Sequence, residues 1–245
     1  MRKLFSTIII VAIWYLTAKT VNSPYLPTPI ATLEELVKSL YTKDFTGYTL
    51  AEHALNSLAR VLAGVALAAA TGIPLGIITA WVKPVEETVY PIIETAKSIP
   101  PIALIPFAIY FFRDPLNSIF IVYVAAFFPT TLNTIAGVKR VSSQWVEAAL
   151  TMGAQNAQVI KKVVFPAALP NILVGLRIGL GVGWMSVIAA EMVGVKSGLG
   201  YYTWIMSETG LFAKVFAGIT LITTIGLTMT QAIQQIEKRL CAWKQ

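Results

Sequence analysis

The residues with the most informative types and spacing lie between residues 138 and 170. A run of Glu147, Ala148 and Ala149 is followed by Gly153 and, further on, by Pro166. A short helix that carries one acid beside small residues, and that ends at a glycine, is suited to act as a rigid knob in a partner's groove. A helix that rests on lipid headgroups is the alternative, and the residue types alone do not separate the two.

Local helix signals place this set on two short helices. A serine pair that can cap a helix precedes a helix predicted over Gln144–Met152, and Gly153 is a natural stop. A second short helix is predicted over Ala154–Val163. We expect it to end at Pro166 and Pro170, because proline lacks the backbone N–H that continues a helix.

A second candidate set lies within an otherwise apolar segment, where ionisable residues are functional candidates. Glu94 and Lys97 are three residues apart, so they share a helix face and can neutralise each other. Ser98 follows, and Pro100 and Pro101 must then break the helix. A broken helix exposes backbone groups that need a cavity, water or protein around them. We therefore expect this segment to line a translocation pathway rather than to be a packing kink.

Other polar residues give weaker signals. Asn133 and Thr134 can donate hydrogen bonds to an oxyanion, and polar packing between helices explains them equally well. Glu191 is expected to snorkel or to make structural hydrogen bonds rather than to contact solute. Arg177 is expected to anchor a helix at the membrane interface, and His53 to be solvated.

Several function classes are excluded. One cysteine and one histidine rule out an intrachain disulfide, a Cys-cluster metal site and a multi-His metal centre. The segment Gly194–Gly198 has the letters of a phosphate-binding loop without its spacing, so ATP hydrolysis by this chain is not expected. No nucleophile and base constellation is present, and we predict neither metal nor cofactor.

Composition indicates an integral membrane protein. Of 245 residues, 56% are hydrophobic and 13% are charged, and the mean hydropathy is +0.69. Soluble domains carry roughly twice that charged share. We attribute the net charge of +7 to cytoplasmic loops rather than to a nucleic-acid partner. Six apolar segments predict an all-α protein with about six spans: Leu4–Val21, Leu55–Val82, Val89–Phe112, Leu116–Val138, Ile172–Val195 and Phe212–Ile233.

Two further patterns concern packing. The polar segment 22–53 is predicted to lie outside the membrane core and to contain a short amphipathic helix over residues 32–40. Small residues recur every fourth position, which favours close helix packing; we expect seams within one subunit rather than an interface between subunits. The two stripes are Gly64, Ala68, Gly72 and Gly76, and Gly175, Gly179 and Gly183.

The distribution of lysine and arginine predicts that both termini are cytoplasmic, because cytoplasmic loops are enriched in these residues. The predicted cytoplasmic set is Arg2, Lys3, Lys83, Lys139, Arg140, Lys161, Lys162, Lys238, Arg239 and Lys244. On this topology residues 139–170 face the cytoplasm and residues 22–53 face outside.

The spaced run Glu147-Ala148-Ala149, Gly153 and Val163-Val164-Phe165-Pro166 resembles the EAA motif of ABC-importer permeases. Nearly the whole chain resembles the permeases of the nitrate, sulfonate, taurine and bicarbonate import group. The motifs that carry this likeness are Leu26-Pro27-Thr28-Pro29, Gly72-Ile73-Pro74-Leu75-Gly76, Ser98-Ile99-Pro100-Pro101, Phe127-Phe128-Pro129, Leu132-Asn133-Thr134, Ala190-Glu191-Met192 and Gly198-Leu199-Gly200. One segment departs from the pattern of this group: Arg113-Asp114-Pro115 stands where the group has a glycine-rich turn.

The resemblance implies a type I importer permease, a single domain over residues 1–245 in a prokaryotic cell membrane. It implies a homodimer in which loop 139–170 of each copy contacts a cytoplasmic ATP-binding subunit, with a substrate-binding protein outside. Glu147 would face the ATPase groove and Gly153 would shape the bend. The implied solute is a small anion such as a sulfonate, nitrate or bicarbonate, with a vitamin precursor as the alternative. An ion-coupled secondary transporter is a further alternative, although neither paired midplane acids nor inverted half-repeats are visible.

Overall fold

A computed structural model describes residues 2–241, without the side chains of residues 2–4, 6 and 7. The predicted lysine at position 244 lies outside the described residues, as do the side chains of Arg2 and Lys3. Within the described range the chain is helical and forms no strand. The helices are α1 (Arg2–Val21), α2 (Pro29–Tyr41), α3 (Leu50–Trp81), α4 (Lys83–Ala96), α5 (Ile105–Phe111), α6 (Leu116–Lys139), α7 (Ser143–Thr151), α8 (Asn156–Val159), α9 (Phe165–Gly194), α10 (Leu199–Glu208) and α11 (Phe212–Leu240).

The long helices confirm the all-α membrane architecture. Among the described residues, α3, α6, α11 and a continuous helix over Asn156–Gly194 are each long and apolar enough to cross a bilayer. The pair α4 and α5, joined through a 3₁₀ turn over Pro101–Leu104, is bent by 85° and adds a fifth span if it is counted as one. Helix α1 matches the first predicted segment, with a described apolar part, Ile8–Val21, that is shorter than the others.

The prediction that Pro166 and Pro170 end a helix is wrong. α8 continues through a π-helical turn over Ile160–Val164 into α9, so the helix passes both prolines. The Phe165 N–H bonds to the carbonyl of Ile160, five residues back. A proline removes one donor and crowds the carbonyl four residues before it, and a wider π turn directly ahead of Pro166 relieves that crowding. The second short helix is therefore the start of a span.

The chain divides into two compact units that are each built from distant segments. Unit 1 contains residues 1–59 and 188–225, and unit 2 contains residues 60–187 and 226–245. The single-domain interpretation of residues 1–245 stays a prediction.

In unit 2, α6 packs against the small-residue stripes of both α3 and α9. A Cβ atom added at Gly64 would lie 2.5 Å from Val122, and one added at Gly76 would lie 2.7 Å from Thr134. On α9, a Cβ atom at Gly175 would lie 2.9 Å from the backbone carbonyl of Pro129. The stripes are therefore seams within the subunit, as predicted, because backbones this close leave no room for side chains.

In unit 1, helix α2 confirms the predicted amphipathic helix. Thr28 is its N-cap, with its hydroxyl accepting from the N–H of Ala31, and Pro29 occupies the first turn where a missing N–H costs nothing. The helix ends at Tyr41, close to the predicted residue 40.

Candidate functional site

Helix α7 carries the Glu-Ala-Ala run and ends as the glycine signal predicts. Gly153 has a φ of +82°, in the left-handed region that favours glycine. Its N–H bonds to the carbonyl of Leu150, and the N–H of Ala154 bonds to the carbonyl of Ala149. This pair of bonds is the Schellman motif that satisfies the last carbonyls of a helix. A Cβ atom at Gly153 would meet no atom within 4 Å, so the backbone angle, not lack of space, restricts this position.

One face of α7 is fixed to the base of the spans. Ala149 belongs to a buried apolar cluster in unit 2. The other buried members come from α6 and the helix over Asn156–Gly194, and they are Val138, Val159, Val164, Ala168 and Ile172. Val146 packs against this cluster as well. The short helix is therefore held rigidly against the ends of two long helices.

The other face of α7 is exposed and partly apolar. Glu147 and Ala148 are exposed, and they are flanked by Trp145 and Met152, of which 59% and 82% is accessible. Large apolar side chains this exposed, set around one carboxylate, are typical of a protein interaction surface. Pro166 is half-buried in α9, just beyond the π turn.

The second predicted set lies at the bend between α4 and α5. The ammonium of Lys97 forms an ion pair with the carboxylate of Glu94, as their spacing predicted. α4 ends at Ala96, and the chain turns at Pro100 before the 3₁₀ turn begins at Pro101. The predicted break is confirmed by the 85° bend.

A cavity of about 330 Å³ opens beside this bend within unit 2. Its lining combines the bend with one side of α6 and one residue of α9: Lys97, Ser98, Ile99, Pro101, Val124, Ala125, Phe128, Pro129, Leu132 and Val182. Lys97 is the one charged residue of that lining, and the rest is largely apolar. The Lys97 ammonium and the Ser98 hydroxyl are its polar groups, and Glu94 balances the charge of Lys97.

Asn133 and Thr134 make contacts within their own helix. The side-chain amide of Asn133 donates to the carbonyl of Pro129 at 2.8 Å, and the hydroxyl of Thr134 donates to the carbonyl of Thr130 at 2.7 Å. Thr134 is fully buried and faces Gly76. These contacts favour the packing alternative over a solute contact for Thr134, and neither residue lines the cavity at the bend.

The segment that departs from the family pattern pairs with α3. The carboxylate of Asp114 accepts from the guanidinium of Arg60 at 2.9 Å, and 6% of the Arg60 side chain is exposed. An arginine in an apolar helix requires such a partner. Asp114 gives the segment Arg113-Asp114-Pro115 a structural role as the partner of Arg60.

The clearest cluster that sequence reasoning missed lies in unit 1 around His53. His53 is fully buried, so its predicted solvation is wrong. Its Nδ1 accepts from the N–H of Gly198 at 2.9 Å, and its Nε2 lies 3.2 Å from the carboxylate of Asp44. Because Nδ1 is the acceptor, Nε2 carries the proton that is donated to Asp44.

The same cluster includes Ser57 and Glu191. The hydroxyl of Ser57 donates to the Glu191 carboxylate at 2.8 Å and accepts from the N–H of Leu199 at 2.8 Å. The N–H of Gly200 also donates to Glu191, at 3.0 Å. Glu191 is fully buried, which confirms its predicted structural hydrogen-bonding role. The four-residue spacing of His53 and Ser57 on one face of an apolar helix was the available signal.

Hydrogen bonding also controls the charge of Asp44. Burial alone would raise the pKa of the Asp44 carboxyl, but hydrogen bonds from the side chain and backbone of Thr46, together with His53, hold this pKa below its ordinary 3.8. Asp44 is therefore ionised at neutral pH and anchors the turn after α2.

Arg177 pairs with an acid on α11, and its predicted role as an anchor at the membrane interface stays a prediction. Its guanidinium donates to the carboxylate of Glu237 at 3.0 Å. The pair lines a cavity of about 390 Å³ between α9 and the end of α11 in unit 2, together with Pro170, Asn171, Val174, Gln234, Lys238 and Cys241.

The fold and the loop geometry define a multi-pass membrane protein with a rigid exposed helix between two spans. Residues 72–241 match the family described as "Binding-protein-dependent transport system inner membrane component". The chain belongs to this family and is the membrane-spanning permease subunit of an ABC importer.

Individual relatives of this chain are also named as transport permeases. The chain is 38% identical to an ABC transporter permease protein of Methanocaldococcus jannaschii, over 96% of this chain and 88% of the relative. It is 34% identical to the taurine transport system permease protein of Escherichia coli, over 96% and 86%. Further relatives are named for transport of aliphatic sulfonates, nitrate and formylaminopyrimidine. The fold is similar to that of the inward-facing MetNI methionine ABC transporter, with a TM-score of 0.69 and 20% identity over 85% of this chain and 97% of the other.

Proposed function

We propose that this permease works as a homodimer in which loop 139–170 of each copy docks on a separate ATP-binding subunit. The exposed face of α7 carries this proposal. Glu147, Trp145 and Met152 project from a helix whose opposite face is fixed to two spans, so a displacement of α7 would move those spans. Glu147, Ala148 and Ala149 form the docking motif, Gly153 sets the bend, and Pro166 follows the π turn.

The proposed orientation places α7 and both termini in the cytoplasm, with α2 and a substrate-binding protein outside. Basic residues support it, because they gather where α6 ends, where α9 begins and where α11 ends. Lys139 and Glu86 also form an ion pair, which joins the end of α6 to the start of α4. The bilayer is that of a prokaryotic cell membrane, and residues 1–245 act as one permease domain.

The solute route passes the bend between α4 and α5 in this proposal. Lys97 and Ser98 offer a cation and a hydroxyl to the cavity, while Pro100 and Pro101 keep the helix open and Glu94 balances the charge of Lys97. Asn133 and Thr134 support the wall behind the cavity.

The proposed solute is a small anion such as a sulfonate, nitrate or bicarbonate. Relatives named for taurine, aliphatic sulfonates and nitrate support this class, as does the Lys97 ammonium in the cavity lining, which could exchange Glu94 for an anionic solute. The second candidate is a vitamin precursor, favoured by the relative named for formylaminopyrimidine transport. Membership of the binding-protein-dependent family favours ATP-driven import over the ion-coupled alternative.

Uptake into proteoliposomes tests this function. The permease would be reconstituted with its ATP-binding subunit and binding protein, and labelled taurine, nitrate, bicarbonate and formylaminopyrimidine would be offered in turn. We expect ATP-dependent accumulation of one anion, by an assembly with two permease copies. Uptake driven by an ion gradient without ATP would contradict the mechanism, and uptake of formylaminopyrimidine alone would contradict the solute class.

A further inference from the structure

Helix α2 presents an apolar row to the outside. Its buried residues are Pro29, Thr32 and Ser39, and Leu36 and Leu40 are half-buried. The exposed row recurs at helical spacing, with 57% of Ile30, 54% of Leu33, 59% of Val37 and 82% of Tyr41 accessible. A surface helix in water turns its apolar residues toward the protein. A row this exposed therefore favours an apolar medium on this side of the helix.

The inward face of α2 is held by polar contacts within unit 1. The hydroxyl of Tyr202 on α10 donates to the hydroxyl of Ser39 at 3.3 Å. The carboxylate of Glu35 lies 3.7 Å from the ammonium of Lys214, in the first turn of α11. These contacts fix which face of α2 points outward.

The start of α2 lies at the depth of a membrane boundary. The indole N–H of Trp14 on α1 donates to the carbonyl of Pro27 at 3.1 Å, so the chain folds back alongside α1 after its end at Val21. Trp14 is followed by Tyr15, whose ring lies 6.0 Å from the ammonium of Lys19. Trp14, Tyr15 and Lys19 lie within the last eight residues of α1, which ends at Val21, and these residue types near the end of an apolar helix favour the headgroup region.

Contacts with α11 show the direction in which α2 runs. Tyr25 packs on Phe212, Trp14 stacks on Phe216, and Glu35 reaches Lys214. All three contacts fall within about 6 Å of rise along α11, at 1.5 Å per residue. α2 itself advances about 9 Å between Pro29 and Glu35 by the same measure. Only Glu35 among these contacts lies on α2, but Trp14, which stacks on Phe216, also bonds to Pro27 just before α2. Pro27 and Glu35 are therefore held at similar levels of α11, which favours an α2 that runs across α11, closer to the membrane plane than to its normal.

The geometry points to α2 as an interfacial helix that rests on lipid. Ile30, Leu33, Val37 and Tyr41 lie in the boundary between headgroups and acyl chains of the leaflet on its side of the membrane. The row continues the lipid-exposed surface of α1, where Ile10, Ile13 and Leu16 are exposed. On the flank of the row, Glu34 and Lys38 are exposed and face the headgroups and water. This assignment requires only that α1 and α11 are membrane helices, and not the proposed coupling or solute.

Spin labels test the assignment in the full permease, reconstituted in vesicles of phosphatidylethanolamine and phosphatidylglycerol. Single cysteines would replace Leu33, Val37, Glu34 and Lys38 in a Cys241→Ser background. We expect labels at 33 and 37 to collide more with oxygen than with a water-soluble nickel complex, and labels at 34 and 38 to show the reverse order.

Every other outcome contradicts the assignment. Nickel access at 33 and 37 equal to that at 38 would place the row in water, free for a soluble partner. Shielding from both reagents with spin–spin broadening would place a second copy of this chain on it. An independent measurement on the unsubstituted protein uses a phospholipid with a photoactivatable diazirine in its acyl chain. We expect mass spectrometry to locate adducts on Ile30, Leu33 or Val37, and adducts on α1 without any on α2 would overturn the assignment.

Discussion

The hydroxyl of Ser57 donates to the carboxylate of Glu191 at 2.8 Å, although 134 residues separate them in sequence. The bond closes a buried cluster that joins the start of α3, the end of α9 and the loop before α10 within unit 1. Close packing in this cluster also accounts for the two glycines of the run Gly198-Leu199-Gly200. A Cβ atom at Gly198 would lie 2.3 Å from the Glu191 carboxyl carbon, and one at Gly200 would lie 2.1 Å from the carbonyl of Ile188.

We predict that Glu191→Leu lowers the free energy of unfolding by about 2–4 kcal/mol, since each buried donor left unpaired costs about 1–3 kcal/mol. The donors concerned are the Ser57 hydroxyl and the Gly200 N–H. Glu191→Gln keeps an acceptor oxygen and should lose clearly less. Thermal unfolding in detergent would measure both variants. Equal stability of Glu191→Leu and the unsubstituted protein would show that this cluster is not structural.

The seam between α6 and α9 gives a matched pair of glycine substitutions on one helix. We expect Gly175→Ala to destabilise the protein by about 1–3 kcal/mol through overpacking, because its Cβ atom would lie 2.9 Å from the Pro129 carbonyl. Gly181→Ala meets no atom within 4 Å and should be neutral or stabilising by up to about 1 kcal/mol. The unfolding temperatures of the two variants, each compared with that of the unsubstituted protein, test this difference. A similar effect at both positions would mean that α6 does not pack against this face of α9.

The stability contributed by Asp44 should depend on pH. Its pKa is lowered in the folded protein, so the contribution is present above the ordinary value of 3.8 and is lost as the pH falls through the lower folded value. We expect the difference in unfolding temperature between the unsubstituted protein and Asp44→Asn to be constant from neutral pH down to about pH 4 and to shrink below it. A difference that grows on acidification would carry the wrong sign.

Features of the fold and the site that depend on residues close together in sequence could be predicted, whereas those that depend on distant residues could not. The end of α7 at Gly153, the bend at Pro100 and Pro101, and the glycine seams were predictable, because local backbone chemistry and side-chain size dictate them. The course past Pro166 was not, because a proline can end a helix or follow a π turn that relieves its crowding, and only the fold shows the second outcome, with Val164 of that turn buried. The burial of His53 depends on Asp44 and Gly198, which only the fold brings together.

The cavity at the bend gives a prediction about solute charge. We expect Lys97→Met to reduce the rate of ATP-driven anion uptake by about tenfold or more, because a hydrogen bond to a charged group is worth about 1.5 kcal/mol or more and a factor of ten corresponds to about 1.4 kcal/mol. Lys214→Met makes the same change in an ion pair away from this cavity and serves as the control. Equal initial rates for the two variants would remove Lys97 from the solute route.

The most direct test of the central claim is the uptake of solute per ATP hydrolysed by permease with Glu147→Arg, assembled with the ATP-binding subunit in proteoliposomes. Glu147 lies on the exposed face of α7, and Glu87, also exposed, lies outside α7 near the start of α4, so Glu87→Arg is a control with the same charge change. We predict that Glu147→Arg is inserted and folded normally and loses most ATP-driven uptake, while Glu87→Arg transports like the unsubstituted protein. Normal uptake per ATP by Glu147→Arg would contradict the assignment of α7 as the coupling helix.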